Sequence, residues 1–399
     1  MRFSARAVTE RPGYGVALHL PPVGRTDPVY LFIRRLADAL QTQGHRTSFI
    51  EIASGRAEFK GNCPPDEIDF GFFLNSNFPA VKDGTTGEII RQVPVGSFPQ
   101  IALFSLPCHF DTVYMAATHA ERLAAIFHLD PGIPAVLGDQ FACLELPASY
   151  YLSCSATPLA PRRKLLYVAN IKGTESLAQI LSSYPRLASQ SRRFLEMLRE
   201  DHALPVPAIV SDALGMEYRE WVKYGEWRSY AEALQKTASL IDRLGTLKAL
   251  SGFPCHYVLN ASKIPVANFH PDSTFSGPIG FDRLMDLYLQ HGGIVANLPS
   301  RIPNVLSERV TNAMAHGMIP IVPDKGEHMG LLNGANAIFY AEKVSAIREA
   351  IGAYFAMDDD QRLTISRNAY VTAAQHFSPD AFAGRVVAAY EKIATQLST

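Results

Sequence analysis

The sequence predicts an α/β protein made of two doubly wound domains, and three observations carry that reading. The chain has 399 residues, more than one ordinary hydrophobic core organises, so two domains of roughly 200 residues or fewer are expected. Two stretches, Gly15–Ile52 and Gly293–Val322, each read as strand, loop, helix and strand, the repeating unit of such a fold. Between them, Pro158-Leu-Ala-Pro161-Arg-Arg-Lys164 has the composition of a linker, and an apolar run, Leu165–Ala169, follows at once. The boundary is therefore expected near residue 160, with domains over 1–160 and 161–399.

Composition narrows the function classes. Hydrophobic residues make up 47% and charged residues 19%, the balance of a packed chain rather than a disordered one. The formal charge is −1 and no basic stripe occurs, so no nucleic-acid partner is expected. The five cysteines are scattered without metal-type spacing, which fits reduced thiols in a cytoplasm. The N-terminal residues lack the apolar core of a secretory signal, and no apolar run is long enough to span a bilayer. A soluble, cytoplasmic protein without a transmembrane segment is the expectation.

In chain order, Gly15–Leu20 is a short apolar strand, and the loop Pro21–Asp27 follows its carboxyl end. Asp27 is placed to cap a helix with Pro28 at the first position, after which Val29, Phe32, Ile33, Leu36, Ala37 and Leu40 recur at helical spacing up to Gly44. Arg46–Ile52 is the next strand. Gly24 and Arg25 lie where such folds contact ligands, although an ordinary turn with a solvated arginine also accounts for them. Ile68–Asn75 and Gln100–Leu106 are further strand-length runs, the second followed by Pro107-Cys-His109-Phe-Asp111. His109 at that tip is either a reacting group or a structural histidine. Tyr114–Leu137 mixes a helical pattern with an apolar run at 124–129, and Gly138–Leu152 reads as irregular.

In the second half, Lys172 and Gly173 follow the strand at 165–169, Ser176–Glu200 and Ala213–Ala249 are largely helical, and Arg243 reads as a solvated charge. Phe275-Ser-Gly277-Pro-Ile-Gly280 leads into a helix over Phe281–Gln290. The most informative stretch is Gly293–His328. An apolar strand runs to Leu298, Pro299 and Pro303 impose a loop, Ser307 is a suitable N-cap with Glu308 in the first turn, and Gly317 ends the helix before the strand Met318–Val322. Leu306, Val310, Ala313, Met314 and Gly317 share the packed face, whereas Glu308, Asn312 and His316 share another with Arg309 beside them. A helix start at the carboxyl ends of parallel strands suits an anionic ligand. Pro323-Asp-Lys325-Gly326-Glu327-His328 is a polar turn in which Gly326 permits backbone approach to a phosphate, Lys325 is placed to pair one, and Glu327 is an acceptor for hydroxyl groups; a solvated surface turn is the alternative. Helices over Lys343–Phe355, Asp360–Phe377 and Pro379–Gln396 close the chain.

The segment Glu308-Arg-Val-Thr-Asn-Ala-Met-Ala-His-Gly-Met-Ile-Pro-Ile-Val-Pro-Asp324 resembles the donor-binding segment of GT-B glycosyltransferases, and is most similar to their spore-maturation-protein-B-like (CgeB-like) branch. "LLYVANIKGTES" and the run around Gly277 resemble other parts of that family's C-terminal domain, and Asp69–Asn77 with Phe98–Asp111 resembles an N-terminal pair. The resemblance implies two Rossmann-like domains facing a cleft, a last helix crossing back to the N-terminal domain, and transfer of a sugar from a nucleotide-sugar to a hydroxyl-bearing acceptor. It implies that Arg309, Lys325 and the helix start at Ser307–Glu308 neutralise the diphosphate without a metal or cofactor, with Lys172 either a further phosphate contact or a surface lysine in a polar turn. Gly277 would lie beside the base, and His109 would meet the sugar. Where many retaining members carry two glutamates, this chain has Asn304 and Asn312, amides that bond hydroxyls but carry no charge. A GT-B-shaped binding or scaffold protein, and an epimerase or hydrolase of nucleotide-sugars, are the rival readings.

Asp358-Asp-Asp360 reads as a helix start rather than a metal motif, and Gly13-Tyr-Gly15 lacks the third glycine of a dinucleotide fingerprint.

Overall fold

The structure, a computed structural model, describes residues 13–20, 27–53, 56–74, 80–82, 89–92, 98–104, 123–128, 142–145, 154, 162–171, 193–194, 196–197, 206–260, 268–297, 306–324, 331–341 and 344–398. The described residues of Met1–Leu106, Thr112–Leu146 and Ser378–Thr399 form one compact unit, and those of Pro147–Phe377 form a second.

The first unit is a seven-stranded sheet in the order β3-β2-β1-β4-β7-β8-β9. Its strands are β1 (Gly15–His19), β2 (Arg46–Ala53), β3 (Arg56–Gly61), β4 (Phe70–Leu74), β7 (Gln100–Phe104), β8 (Leu123–His128) and β9 (Ala142–Glu145). All neighbours run parallel except β2 and β3. Helix α1 (Pro28–Thr42) starts as its sequence dictates: the Asp27 carboxylate accepts from the Val29 N–H at 2.8 Å, and Pro28 occupies the first turn. Its buried stripe is Phe32, Ile33, Leu36, Ala37, Ala39 and Leu40.

One reading of the sequence is corrected in this unit and two are completed. Leu123–His128, the apolar run left unassigned within a mixed stretch, is a strand; it is buried between two neighbours, so its continuous apolar run carries no period to distinguish strand from helix. Ala142–Glu145, expected to be irregular, pairs in register with β8. The antiparallel edge strand β3 and the hairpin of β5 (Ala80–Lys82) and β6 (Ile89–Gln92) were not anticipated; β3 carries a polar sequence on a half-exposed edge.

The last helix, Pro379–Ser398, belongs to this first unit. Phe382 lies among Phe32, Phe72 and Phe127 with ring centroids at 5.8, 5.9 and 5.7 Å. Tyr390 stacks on Phe70 at 4.5 Å, and the Tyr14 hydroxyl donates to Glu391 at 3.1 Å.

The second unit is an all-parallel six-stranded sheet in the order β12-β11-β10-β13-β14-β15. The strands are β10 (Leu165–Asn170), β11 (Cys255–Asn260), β12 (Thr274–Ser276), β13 (Gly293–Val295), β14 (Ile319–Pro323) and β15 (Ile338–Tyr340). The order reverses between β10 and β13, which makes their carboxyl ends the switch point where open α/β sheets hold ligands. Helices α2 (Val206–Leu214), α3 (Tyr218–Trp221) and α4 (Gly225–Leu250) lie in the crossover from β10 to β11. After these come α5 (Phe281–Gln290), α6 (Glu308–Ala315), α7 (Val344–Ala356) and α8 (Asp359–His376), with Pro379–Ser398 as α9. Asp358 caps α8 in a reciprocal box with Gln361, the helix start expected there. No helix among the described residues is long and apolar enough to cross a membrane.

Candidate anion-binding site at the strand tips of the second unit

Helix α6 positions the site. Its end is a Schellman arrangement: the Gly317 N–H donates to the Met314 carbonyl at 2.8 Å and the Met318 N–H to Ala313 at 2.9 Å, with Gly317 at φ 71°. This turn sends the chain directly into β14, so the other end of α6 is held at the strand tips. Leu306, Val310, Met314 and Ala315 pack on Ala369, Ala373 and Phe377, while Ala313 packs with Leu166, Met285 and Tyr288.

The opposite face of α6 is also buried, which corrects the two-faced helix expected from the sequence. Asn312 is 1% exposed and its amide donates to the Glu308 carbonyl at 2.6 Å. His316 is buried against Tyr288, with ring centroids at 5.7 Å, and its Nδ1 donates to the Asn312 carbonyl at 2.7 Å, which fixes the proton on that nitrogen. Burial pushes its pKa down. Enclosure between α5 and α8 leaves only the start of α6 reaching solvent. There Ser307 occupies the N-cap position without a side-chain cap bond, Glu308 is exposed, and Arg309 is half-buried.

Arg309 turns toward the central strand. Pairing of β10 with β13 runs through Leu165↔Gly293 and Leu166↔Ile294, and beyond it the Val168 carbonyl accepts from Arg309 Nη1 at 3.2 Å. Arg243 arrives at the same tip from α4, its Nη1 donating to the Asn170 carbonyl at 2.6 Å. The reading of Arg243 as a solvated charge is thereby corrected. Burial lowers its pKa, and the positive charge of Arg309 lowers it further. Among the described residues, no carboxylate lies within ion-pairing distance of either guanidinium; Asp242 acts on Arg243 only at longer range. Two like charges meet over one strand end, where an anion relieves their repulsion.

Polar groups underlie the pair. The buried Tyr167 hydroxyl faces the Arg243 carbonyl at 2.9 Å and Asn297 Oδ1 at 3.1 Å. Asn297, just past β13, also donates to the Asp242 carbonyl at 3.4 Å and to the Thr246 hydroxyl. Asn260 Oδ1, at the tip of β11, is buried without a hydrogen-bond partner among the described residues. Arg243, Tyr167 and Asn297 were missed in the sequence; their only signal was position at a helix turn or strand end.

Of the site residues expected from the sequence, Ser307, Glu308 and Arg309 gather at this tip. Asn312 is turned into the helix. Gly277 follows β12, two strands from β10, and a Cβ there would meet nothing within 4 Å. Gly24, Arg25, His109, Lys172, Asn304, Lys325, Gly326 and Glu327 lie outside the described residues.

No protein-family model matches the chain, and no curated protein matches it in sequence. Solved structures do match. An α-glucosyltransferase in complex with UDP-glucose and DNA containing an abasic site is 11% identical with a TM-score of 0.54, over 94% of this chain and 99% of that one. A sucrose-phosphate synthase from Thermosynechococcus elongatus is 10% identical with a TM-score of 0.50, over 95% and 99%. The DNA-modifying enzyme β-glucosyltransferase, solved with and without uridine diphosphoglucose, is 8% identical with a TM-score of 0.50, over 94% and 99%. These likenesses establish the fold, the two-domain α/β architecture of GT-B glycosyltransferases.

Proposed function

We propose that the protein transfers a sugar from a nucleotide-sugar to a hydroxyl-bearing acceptor. The observation that carries this is the meeting of Arg243 and Arg309 at the switch point between β10 and β13. A nucleoside diphosphate gains negative charge as the glycosidic bond breaks, and fixed cations at that point stabilise the departing group more than the bound donor. Arg309 and Arg243 serve this role, aided by the backbone N–H groups at the start of α6 beside Ser307 and Glu308. With two fixed positive charges, no divalent metal is needed for the leaving group. Lys172, Lys325, Gly326 and Glu327 would extend the phosphate contacts, and Gly277 would lie beside the base. His109 would face the reacting sugar, with Asn304 and Asn312 where the family's acids are common. The finer likeness, to the spore-maturation-protein-B-like branch, rests mainly on the segment 308–324.

The fold match supports this reading, and the two matched glucosyltransferases, each solved with UDP-glucose, offer a precedent for the donor class. The test is release of nucleoside diphosphate from a panel of UDP-, GDP-, CDP- and ADP-sugars, with and without a chelator. One sugar nucleotide consumed by the native protein, with the chelator harmless and Arg309→Ala at least ten-fold slower, is the expected result.

A second reading, binding of a nucleotide-sugar without turnover, is favoured by Asn312, a buried, uncharged amide that donates to the Glu308 carbonyl where acids are common in the family resembled. Stoichiometric binding of a donor with no diphosphate released on adding any acceptor selects it.

A further inference from the structure

Beneath the two arginines lies a set of groups whose geometry exceeds what packing requires. Tyr167 on β10, Asn297 after β13, and Thr246 and Asp242 on α4 converge on one helical turn. Carbonyls inside a helix are already engaged by the residue four further on. Here those of Asp242 and Arg243 take additional side-chain donors, Asn297 and Thr246 on the first and Tyr167 on the second. The turn gripped in this way is the one that carries Arg243. Thr246 and Tyr167 are almost wholly buried, whereas Asn297 is half-buried at the strand tip.

From this we infer that Tyr167, Asn297 and Thr246 are positioning residues, which lock the Arg243 turn of α4 onto the tips of β10 and β13 so that its guanidinium stands ready beside Arg309 for a diphosphate. The inference rests on the reading of the two arginines as an anion site. An arginine side chain is long and loses much rotamer freedom on binding, and two adjacent guanidinium groups repel. Without a fixed helix turn, Arg243 would swing toward solvent, and each binding event would have to recover it. The lock removes that cost in advance.

The experiment is a double-mutant cycle read by calorimetric titration of inorganic pyrophosphate, on the full chain, with thermal melting of every variant recorded in parallel. The variants are Tyr167→Phe, Arg243→Ala and the two together. Arg243→Ala keeps the backbone carbonyl that Tyr167 bonds, so it removes the positioned group and leaves the lock. The expected result is that Tyr167→Phe weakens pyrophosphate about 3- to 10-fold in the native background, the worth of one hydrogen bond, and changes it little in the Arg243→Ala background. Equal weakening in both backgrounds overturns the inference, since the tyrosine then acts without Arg243. So does an unchanged affinity in Tyr167→Phe while Arg243→Ala binds poorly, an outcome that keeps the anion site and discards the lock. No binding by the native chain, or no loss in Arg243→Ala, removes the anion site itself and the inference with it. If Tyr167→Phe does not fold, Asn297→Ser replaces it in the same cycle, with the same outcomes.

Discussion

Arg243 and Arg309 bond carbonyls of the same strand, Asn170 at 2.6 Å and Val168 at 3.2 Å, although one comes from α4 and the other from α6. Two helices separated in sequence by three strands of the sheet, β11, β12 and β13, thus deliver like charges to one tip. The arrangement favours an anionic ligand at the expense of the empty protein, and it yields the first prediction. Arg243→Met removes a partly desolvated charge and its repulsion with Arg309. Its melting temperature without ligand should equal or exceed that of the native chain, while nucleoside diphosphate affinity falls at least ten-fold. A lower melting temperature with unchanged affinity would make Arg243 a structural residue.

Asn312 offers a test of the helix interior. Its amide donates to the Glu308 carbonyl in a site closed to water. Asn312→Asp keeps the shape but sets a carboxylate against that carbonyl, and should destabilise by about 1–3 kcal/mol at neutral pH. Protonation at low pH restores a donor, so the deficit measured by urea unfolding should shrink as pH falls.

Two glycines are held by geometry. Gly317 sits at φ 71° at the end of α6, and Gly317→Ala should cost about 1–2 kcal/mol. Gly292 is tighter: a Cβ there would come within 2.0 Å of the Arg162 carbonyl, a backbone atom that cannot rotate away. Gly292→Ala should be the more damaging in denaturant titration, because the strand entering β13 must shift.

The pH dependence of stability has a definite sign. Burial holds His19 at a pKa of about 4 despite its hydrogen bond to Gln100 at 3.1 Å. Burial likewise holds His291 at about 4, with the Leu287 carbonyl opposing and nearby cations adding to the shift. Both are neutral in the folded chain, while an unfolded histidine titrates near about 6.5. Below that pH the unfolded state binds more protons, so the stability these residues provide is complete above about 6.5 and lost as pH falls toward about 4. Melting temperature should drop by several degrees between about pH 6.5 and pH 5, and less steeply in His19→Gln. A flat profile over that window would contradict the buried neutral state.

Much of this fold was legible because local signals and tertiary packing agree. Asp27 and Pro28 cap α1, Asp358 caps α8, and Gly317 ends α6, each through chemistry contained within a few residues. Leu123–His128 was not legible, because a strand buried on both faces has no alternation to read. At the candidate site, the helix start at Ser307–Glu308, with Arg309 beside it, was legible as local structure because it follows a proline-rich loop. Arg243 was not: in sequence it is one charge on a long helix, and only the approach of α4 to the tip of β10 gives it a partner. Tyr167 and Asn297 were hidden for the same reason, since a polar residue at a strand end has no local pattern. Asn312 misled in the opposite direction, as helical spacing placed it with Glu308 but could not show that α5 and α8 enclose that face.

The most direct measurement of the central claim is calorimetric titration of the native chain, Arg243→Ala and Arg309→Ala with UDP, GDP, CDP and ADP. The expected result is that one nucleoside diphosphate binds the native chain and that each substitution weakens it at least ten-fold without loss of folding. Binding of equal strength to all three proteins, or to none, would contradict an anion site at the tips of β10 and β13.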